Sequence, residues 1–259
     1  MLELYVYGVG LFTPSAPNAA AWLDAPAEGQ SEPATPTGSS LERRSRRMSS
    51  VLMRGFADVY NEACTQADFD AETVASVFGS ALGEANTMIG LLDQMWAKHE
   101  EPSPMAFAAS VHNAAAGVVS ISNKNRAFTT SIAADFDTVA MALMEAVGLL
   151  ATGHTEVMVA CGDEPAPEKL VDDASHWGFL CGAVALRSAP KEEMKPLARL
   201  RVPTLGAENP LAFEYDAGLR ANPQLGLLQL IDAVLRQRWG QVALDNGRGR
   251  GWAVEVLAP

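Results

Sequence analysis

Residues Glu156 to Cys161 read EVMVAC, a run with no polar side chain after its first position. A run this short and this apolar is expected to be a strand covered on both faces, because a half-exposed strand would alternate. A sheet held between layers of helices covers a strand that way, and together with the alternation of strands and helices along the chain this run predicts a layered α/β fold. The rest of the chain alternates accordingly. Strands are expected over Leu2–Val9, Val74–Ser80, Ala127–Ala133, Trp177–Arg187, Leu197–Val202 and Trp252–Leu257. Helices are expected near 41–66, where Leu41, Met48, Leu52, Phe56 and Val59 recur at helical steps, and near 87–99, 105–120, 138–152 and 223–239. Residues 14–40 carry Pro14, Pro17, Pro26, Pro33 and Pro36 among small residues, which predicts an irregular loop. No short-period repeat is present.

Composition narrows the function classes. The chain has 259 residues, 48% of them apolar, enough for a sizeable core. A net charge of −12 argues against a nucleic-acid partner, whose phosphates need clustered cations, and against broad attraction to anionic lipid. Arg43, Arg44, Arg46 and Arg47 form a basic cluster, which at a helix start reads as a solvated or ion-paired face. Three cysteines without a CxxC pair predict neither a disulfide framework nor a zinc site. The opening MLELYVYGVG lacks a basic segment before an apolar run, and no uncharged apolar stretch reaches the roughly 20 residues that span a bilayer. The cytosol is the expected compartment.

Small motifs weigh against several enzymes. Gly8-Val9-Gly10 follows a strand, but a dinucleotide-binding third glycine would fall at Thr13, and Pro14 and Pro17 prevent a helix from starting there. A tight structural turn is the better reading. His99, His112, His154 and His176 lack metal-ligand spacing. Cys64, Cys161 and Cys181 lie in apolar segments and read as buried small hydrophobes. No GxSxG elbow occurs.

Four segments, in order, are similar to one family. LYVYGVGLFTP resembles the opening strand and GxG-x-x-TP turn of the β-ketoacyl synthases of the thiolase superfamily. Ser103 to Ile121, SPMAFAASVHNAAAGVVSI, is similar to their SPxxxPxxIxNMxAGxxSI segment. TTSIAADFDTVAMALMEAVGLLATGHTEVMVACGDE resembles SIATACxSGxxAIxxAxxxIxxGxADVMVAGGxE, and WGFLCGAVALR the strand after GFVxGEGAG. Asn222-Pro223-Gln224-Leu225-Gly226 is similar to the family's GHxxGAAG helix start, and NGRGRGWAVEV, from Asn246, to its closing FGFGGxNAxLV strand.

The resemblance implies a thiolase-like α-β-α fold in one truncated domain over residues 1–259. Residues 1–200 would be the N-terminal half and 201–259 a remnant of the C-terminal half. It also implies a missing active site. The family's nucleophilic cysteine lies at a set distance before the glycine that ends its helix; carried back from Gly153, that distance reaches Phe136. Pro223 and Trp252 stand near the places of the two catalytic histidines, and no histidine follows His176. The implied function is a non-catalytic chain-length factor, similar to the short ones of aryl polyene biosynthesis. It would pair with an active β-ketoacyl synthase, meet an acyl carrier protein through that partner, and use no cofactor or metal. Ala127, Phe128, Thr129, Thr130, Ser131, Ile132 and Ala133 would form the strand across the dimer axis. Val111 resembles the position that gates the acyl tunnel, with His112 and Phe136 close by. Ala108, Ala109, Ala114 and Ala115 would leave the tunnel floor open, or simply let the helix pack closely. Two other readings stand beside this one: a thiolase-like acyltransferase or malonyl decarboxylase using Asp135, Asp137 or His112, and a self-associating structural protein.

Overall fold

A computed structural model describes residues 3–24, 33–245 and 247–259. Leu2, residues 25–32 of the proline-rich segment and Asn246 of the closing motif lie outside the described residues. The elements run β1 (Glu3–Phe12), α1 (Ala19–Asp24), α2 (Arg43–Met48), α3 (Val51–Ala67), β2 (Ala75–Gly79), α4 (Ala85–Trp96), α5 (Pro104–Ala109), α6 (Ala114–Ser122) and β3 (Thr129–Ile132). They continue with α7 (Thr138–Ala151), β4 (Glu156–Asp163), β5 (Leu180–Arg187), β6 (Ala198–Arg201), β7 (Thr204–Leu205), α8 (Ala217–Ala221), α9 (Leu225–Leu235), β8 (Gly240–Ala243) and β9 (Trp252–Leu257).

All nine strands join one sheet in the order β3-β2-β4-β5-β1-β6-β9-β7, with β8 also paired to β9. β2 runs parallel to β3 and β4, and β5 runs antiparallel to β4 and β1. β4 is buried on both faces, as its apolar run requires. Val157, Val159 and Cys161 pack into the core that holds α7 and α9; Met158 and Ala160 pack into the core that holds α3 and α6. The architecture is therefore α-β-α.

Gly8 and Gly10 are explained by packing. The β1–β5 register shifts between Val6 and Gly8, so Leu4 and Val6, then Val9 and Leu11, share one core. Tyr7 and Phe12 face the other. A Cβ on Gly8 would run into the Ala63 carbonyl of α3, and one on Gly10 into the Val59 carbonyl. The two glycines let α3 lie directly on the strand.

Four expectations are corrected. Gly8 and Gly10 lie inside β1, which runs on to Phe12, and form no tight turn. The segment 41–66 is two helices, because Ser50 leaves helical geometry to cap α3 with its hydroxyl on the Met53 amide (3.0 Å). The segment 105–120 is also two helices, broken at Ser110–Asn113, where His112 donates from Nε2 to the Ser80 carbonyl (2.8 Å). The proline-rich loop contains α1: Asn18 caps it through the Ala21 amide (2.8 Å), and Trp22 anchors it by donating to Asp232 on α9 (2.7 Å). The caps at Ser50 and Asn18 are local, whereas His112 and Trp22 bond partners far along the chain, which no local pattern announces.

The two ends of the sheet differ. At β8, the Leu211 amide donates to the Gln241 carbonyl (2.7 Å), and the Glu208 amide to the Gln241 side chain (2.6 Å). At the other end β3 pairs with β2 alone among the described residues.

The glycine contacts predict opposite outcomes for two alanine substitutions. Gly10→Ala should cost about 1–3 kcal/mol or more, because α3 must move off the strand. Gly90→Ala, in α4 with nothing within 4 Å of the added methyl, should gain about 0.5–1 kcal/mol. Urea denaturation of both variants checks this; equal effects would refute the packing account.

Candidate functional site

The parallel strands β2, β3 and β4 end on one side of the sheet, where the N-termini of α7 and α9 also arrive. Ligand sites of open α/β sheets form at such carboxyl ends. Four groups of side chains define the region.

The first surrounds Phe136. A 3-10 turn over Asp135–Asp137 leads into α7, with Asp135 in the left-handed region (φ 52°). Thr138 ties the turn together: its hydroxyl donates to the Asp135 carbonyl (2.7 Å) and accepts from the Ala134 amide (3.0 Å). The buried Phe136 ring lies under the Arg248 guanidinium, 3.9 Å from carbon to ring centroid. Arg248 also donates to Asp173 (2.8 Å) and to the Ala221 carbonyl (3.4 Å). The loop that carries it is held from both sides. Asp245 accepts from the Gly247 (2.9 Å) and Gly251 (2.5 Å) amides. Asp137 accepts from the Arg250 amide (2.9 Å) and pairs with its guanidinium (3.5 Å). The position before α7 thus holds a stacked ring and cation, with both Asp137 oxygens engaged.

The second centres on Asp163, at the end of β4 and 1% exposed. Its carboxylate accepts from Ser80 Oγ (2.7 Å), the Ala81 amide (2.8 Å), the Leu82 amide (3.2 Å) and Gln224 Nε2 (2.6 Å). Burial still raises its pKa, against the lowering effect of these donors. Asn222 donates to the Asp163 carbonyl (3.1 Å) and the Gly178 carbonyl (2.7 Å), so the start of α9 is stitched to β4 and β5.

The third is a cavity of about 10 Å³ lined by Ser80, Glu84, His112, Ser131 and apolar residues of α3 and α6. Glu84 is 2% exposed and accepts from Ser50 Oγ (2.9 Å) and Thr87 Oγ1 (3.1 Å). Burial, with a smaller contribution from the charge on Glu164, lifts its pKa from 4.5 to about 7. The His112 ring lies against Gly83, whose φ of +59° and lack of a side chain make the contact possible.

The fourth is a groove of about 410 Å³ on the outer side of α5 and α6, lined by Met53, Met105, Ala108, Ala109, Val111, Ala114 and Ile121, among others. Val111 and His112, adjacent in sequence, therefore face different spaces. Phe136 lines neither of them. Ala108, Ala109 and Ala114 line the groove, while Ala115 lines the inner cavity. The expected interface strand is β3 at the sheet edge, with Phe128 45% exposed beside it.

The three cysteines are buried, and burial pushes each thiol well above its ordinary value, Cys64 to about 12. None supplies a thiolate. His99 and His176 are exposed, and the His154 ring lies against Phe128. Among the described residues no group of three or more His, Cys, Asp or Glu is arranged to hold a metal, and no helix is long and apolar enough to cross a membrane.

Residues 20–239 match the family described as β-ketoacyl synthase, N-terminal domain. The chain belongs to that family. Solved structures with the same thiolase-like ketosynthase fold include the ketosynthase ApeO in complex with its chain length factor ApeC from Xenorhabdus doucetiae. The match has a TM-score of 0.71 at 22% identity and covers 98% of this chain and 100% of that one. The ishigamide ketosynthase/chain length factor matches with a TM-score of 0.62 at 16% identity, over 78% of this chain and 67% of that one. A β-ketoacyl synthase from Burkholderia phymatum STM815 matches with a TM-score of 0.60 at 12% identity, over 90% and 71%. The curated proteins contain no match. Within this ketosynthase-family fold, Arg248, Asp173, Asp163, Ser80 and Glu84 belong to the candidate region, and pattern reading did not single them out. The Gly-Arg alternation of residues 247–251 was the one local hint of the first.

Glu84 sets a pH dependence. Its folded pKa exceeds its unfolded one, so between about pH 4.5 and 7 the folded chain binds the extra proton, and stability falls as pH rises through that window. Glu84→Gln keeps an acceptor for Ser50 and stays neutral. It should match the parent near pH 5 and exceed it by on the order of 2 kcal/mol at pH 8. Denaturant titrations at the two pH values test this; a constant difference would refute it.

Proposed function

We propose that the chain is a non-catalytic chain-length-factor subunit. It pairs with an active β-ketoacyl-acyl carrier protein synthase in the cytosol and shapes the tunnel in which the carrier-bound chain grows. The observation that carries this reading is Phe136, the counterpart of the family's nucleophilic cysteine, stacked under Arg248 at the start of α7. A ring and a guanidinium there leave no lone pair to attack a thioester and no room for one to approach. The polyene or polyketide setting is favoured by the neighbours: two matched structures are described as ketosynthases with a chain length factor, and in one of them the matched chain is covered in full. In this reading residues 1–200 are the family's first half, and 201–259, with α9 and β9, are what remains of the second.

The surface supports the pairing. Seven of the eleven large apolar residues that stand exposed among the described ones lie between Met95 and Phe128: Met95, Trp96, Met105, Phe107, Val111, Ile121 and Phe128. They come from α4, α5, the corner after it, α6 and the entry to β3, and α6 packs beside β3, whose outer edge is unpaired among the described residues. Apolar surface concentrated next to an open strand marks a contact face. The acyltransferase or decarboxylase alternative has less support: Asp137 is engaged by Arg250, and the cavity that His112 lines is lined by neither Asp135 nor Asp137.

Two experiments test the reading. The purified single chain should show no condensation of acyl and malonyl thioesters, and Phe136→Cys should not restore it, because Arg248 still covers the position and no histidine follows His176. Turnover above the no-protein blank would overturn the non-catalytic assignment. Co-expressed with a catalytic synthase, the chain should co-purify as a 1:1 complex with an interface above ~2,000 Å². Ser131→Pro, which removes an amide that faces away from β2 at the open edge of β3, should reduce the yield of that complex at least tenfold while the single chain keeps its β2–β3 ladder. A complex formed equally well by this variant, or a homodimer that excludes the synthase, would refute the pairing through β3.

A further inference from the structure

The corner between α5 and α6 carries Val111 on its outer side and His112 on its inner side. Among the described residues, the corner's side-chain hydrogen bond to a distant segment is that of His112, Nε2 to the Ser80 carbonyl at 2.8 Å. A carbonyl only accepts, so His112 holds its proton on Nε2 there. The ring is also seated on Gly83, three residues after Ser80. The place of the corner is therefore set by the place of the 80–83 turn.

That turn is wound around one carboxylate. Asp163 takes the Ser80 hydroxyl and the Ala81 and Leu82 amides, and the Ser80 hydroxyl oxygen takes the Gly83 amide (2.7 Å). Asp163 is in turn held by Gln224 at the start of α9 (2.6 Å). A continuous hydrogen-bonded route thus runs from α9 through Gln224, Asp163 and Ser80 to His112. Each link is within hydrogen-bond distance, and Gln224, Asp163 and Ser80 are buried. Such a route has few alternative arrangements, since any displaced donor or acceptor would be left unpaired away from water.

We propose that Asp163, acting through Ser80 and His112, is a positioning residue for chain-length control: it sets where the α5–α6 corner, and with it Val111, stands at the rim of the outer groove. This rests on the chain-length-factor reading, in which Val111 gates the acyl tunnel. His112 then acts by pinning the corner from inside, without lining the groove itself.

The test uses the full chain co-expressed with its catalytic synthase, and reads the length distribution of products made from malonyl- and starter-loaded acyl carrier protein by mass spectrometry. His112→Leu removes the donor, and His112→Gln restores an amide N–H at a similar place. Asp163→Asn turns half of the carboxylate into a donor that faces the Ser80 hydroxyl or the Ala81 amide. Val111→Trp fills the groove rim directly. The expected result is a shortened product from Val111→Trp. His112→Leu and Asp163→Asn should each broaden or shift the distribution by at least one two-carbon step, and His112→Gln should keep the parent distribution. If Val111→Trp shortens the product while His112→Leu and Asp163→Asn leave it unchanged, the positioning role is overturned and the chain-length reading stands. If Val111→Trp also changes nothing in an assembled complex, the groove is not part of the tunnel and both fail. Should Asp163→Asn not assemble, the contrast between His112→Leu and His112→Gln decides: equal distributions from the two overturn the proposal, and a shift in the leucine variant alone supports it.

Discussion

The carboxylate of Asp163 sits at the end of β4, out of water, and four donors converge on it from the 80–82 turn and from the start of α9. A buried carboxylate is costly unless it is well hydrogen-bonded, and the donors that satisfy it must stay in place for the site to be tolerated. That requirement orders the carboxyl-end face of the sheet. It fixes the β2–α4 connection, the first residues of α9, and, through Ser80, the corner that bears Val111 and His112.

A second clamp acts at the start of α7. Arg248 joins the last loop to Phe136, Asp173 and Ala221, while Asp137 and Asp245 hold the loop from either side. These contacts connect the final fifth of the chain to the turn before α7 and to Asp173. Cation–π stacking contributes about 0.5–2 kcal/mol, depending on how dry the ring and cation are, and the ionic partners add to it. In the proposed reading, this tie between segments stands where a family enzyme would keep its reactive group.

The edges of the sheet complete this division. The β8 end is covered by the chain's own 208–211 segment, while β3 keeps one strand neighbour and stands beside exposed apolar side chains. Burying those side chains against a partner would return roughly 25 cal/mol for every Å² removed from water. The groove next to Val111 lies on the same helices, so in the proposed reading one surface would set both assembly and tunnel shape.

The apolar run of β4 and the alternation of segments around it were enough to establish the layered α/β class. The ordered motifs pointed to the ketosynthase family, because strand burial and small-residue packing leave local signatures. The absence of a late histidine and the phenylalanine at position 136 were likewise readable from residue order. The breaks at Ser50 and Ser110–Asn113, the anchoring of α1 by Trp22 on Asp232, and the reason for Gly8 and Gly10 were not. The break at Ser50 rests on a local cap that the apolar periodicity overran; the others are decided by an atom far away in sequence: a Ser80 carbonyl, an Asp232 carboxylate, the backbone of α3. The same holds for Arg248 over Phe136, about 110 residues apart, and for the donors around Asp163. Sequence pattern reports which faces must be buried; which polar groups meet there depends on how the sheet brings distant loops to one end, and only the tertiary structure decides that.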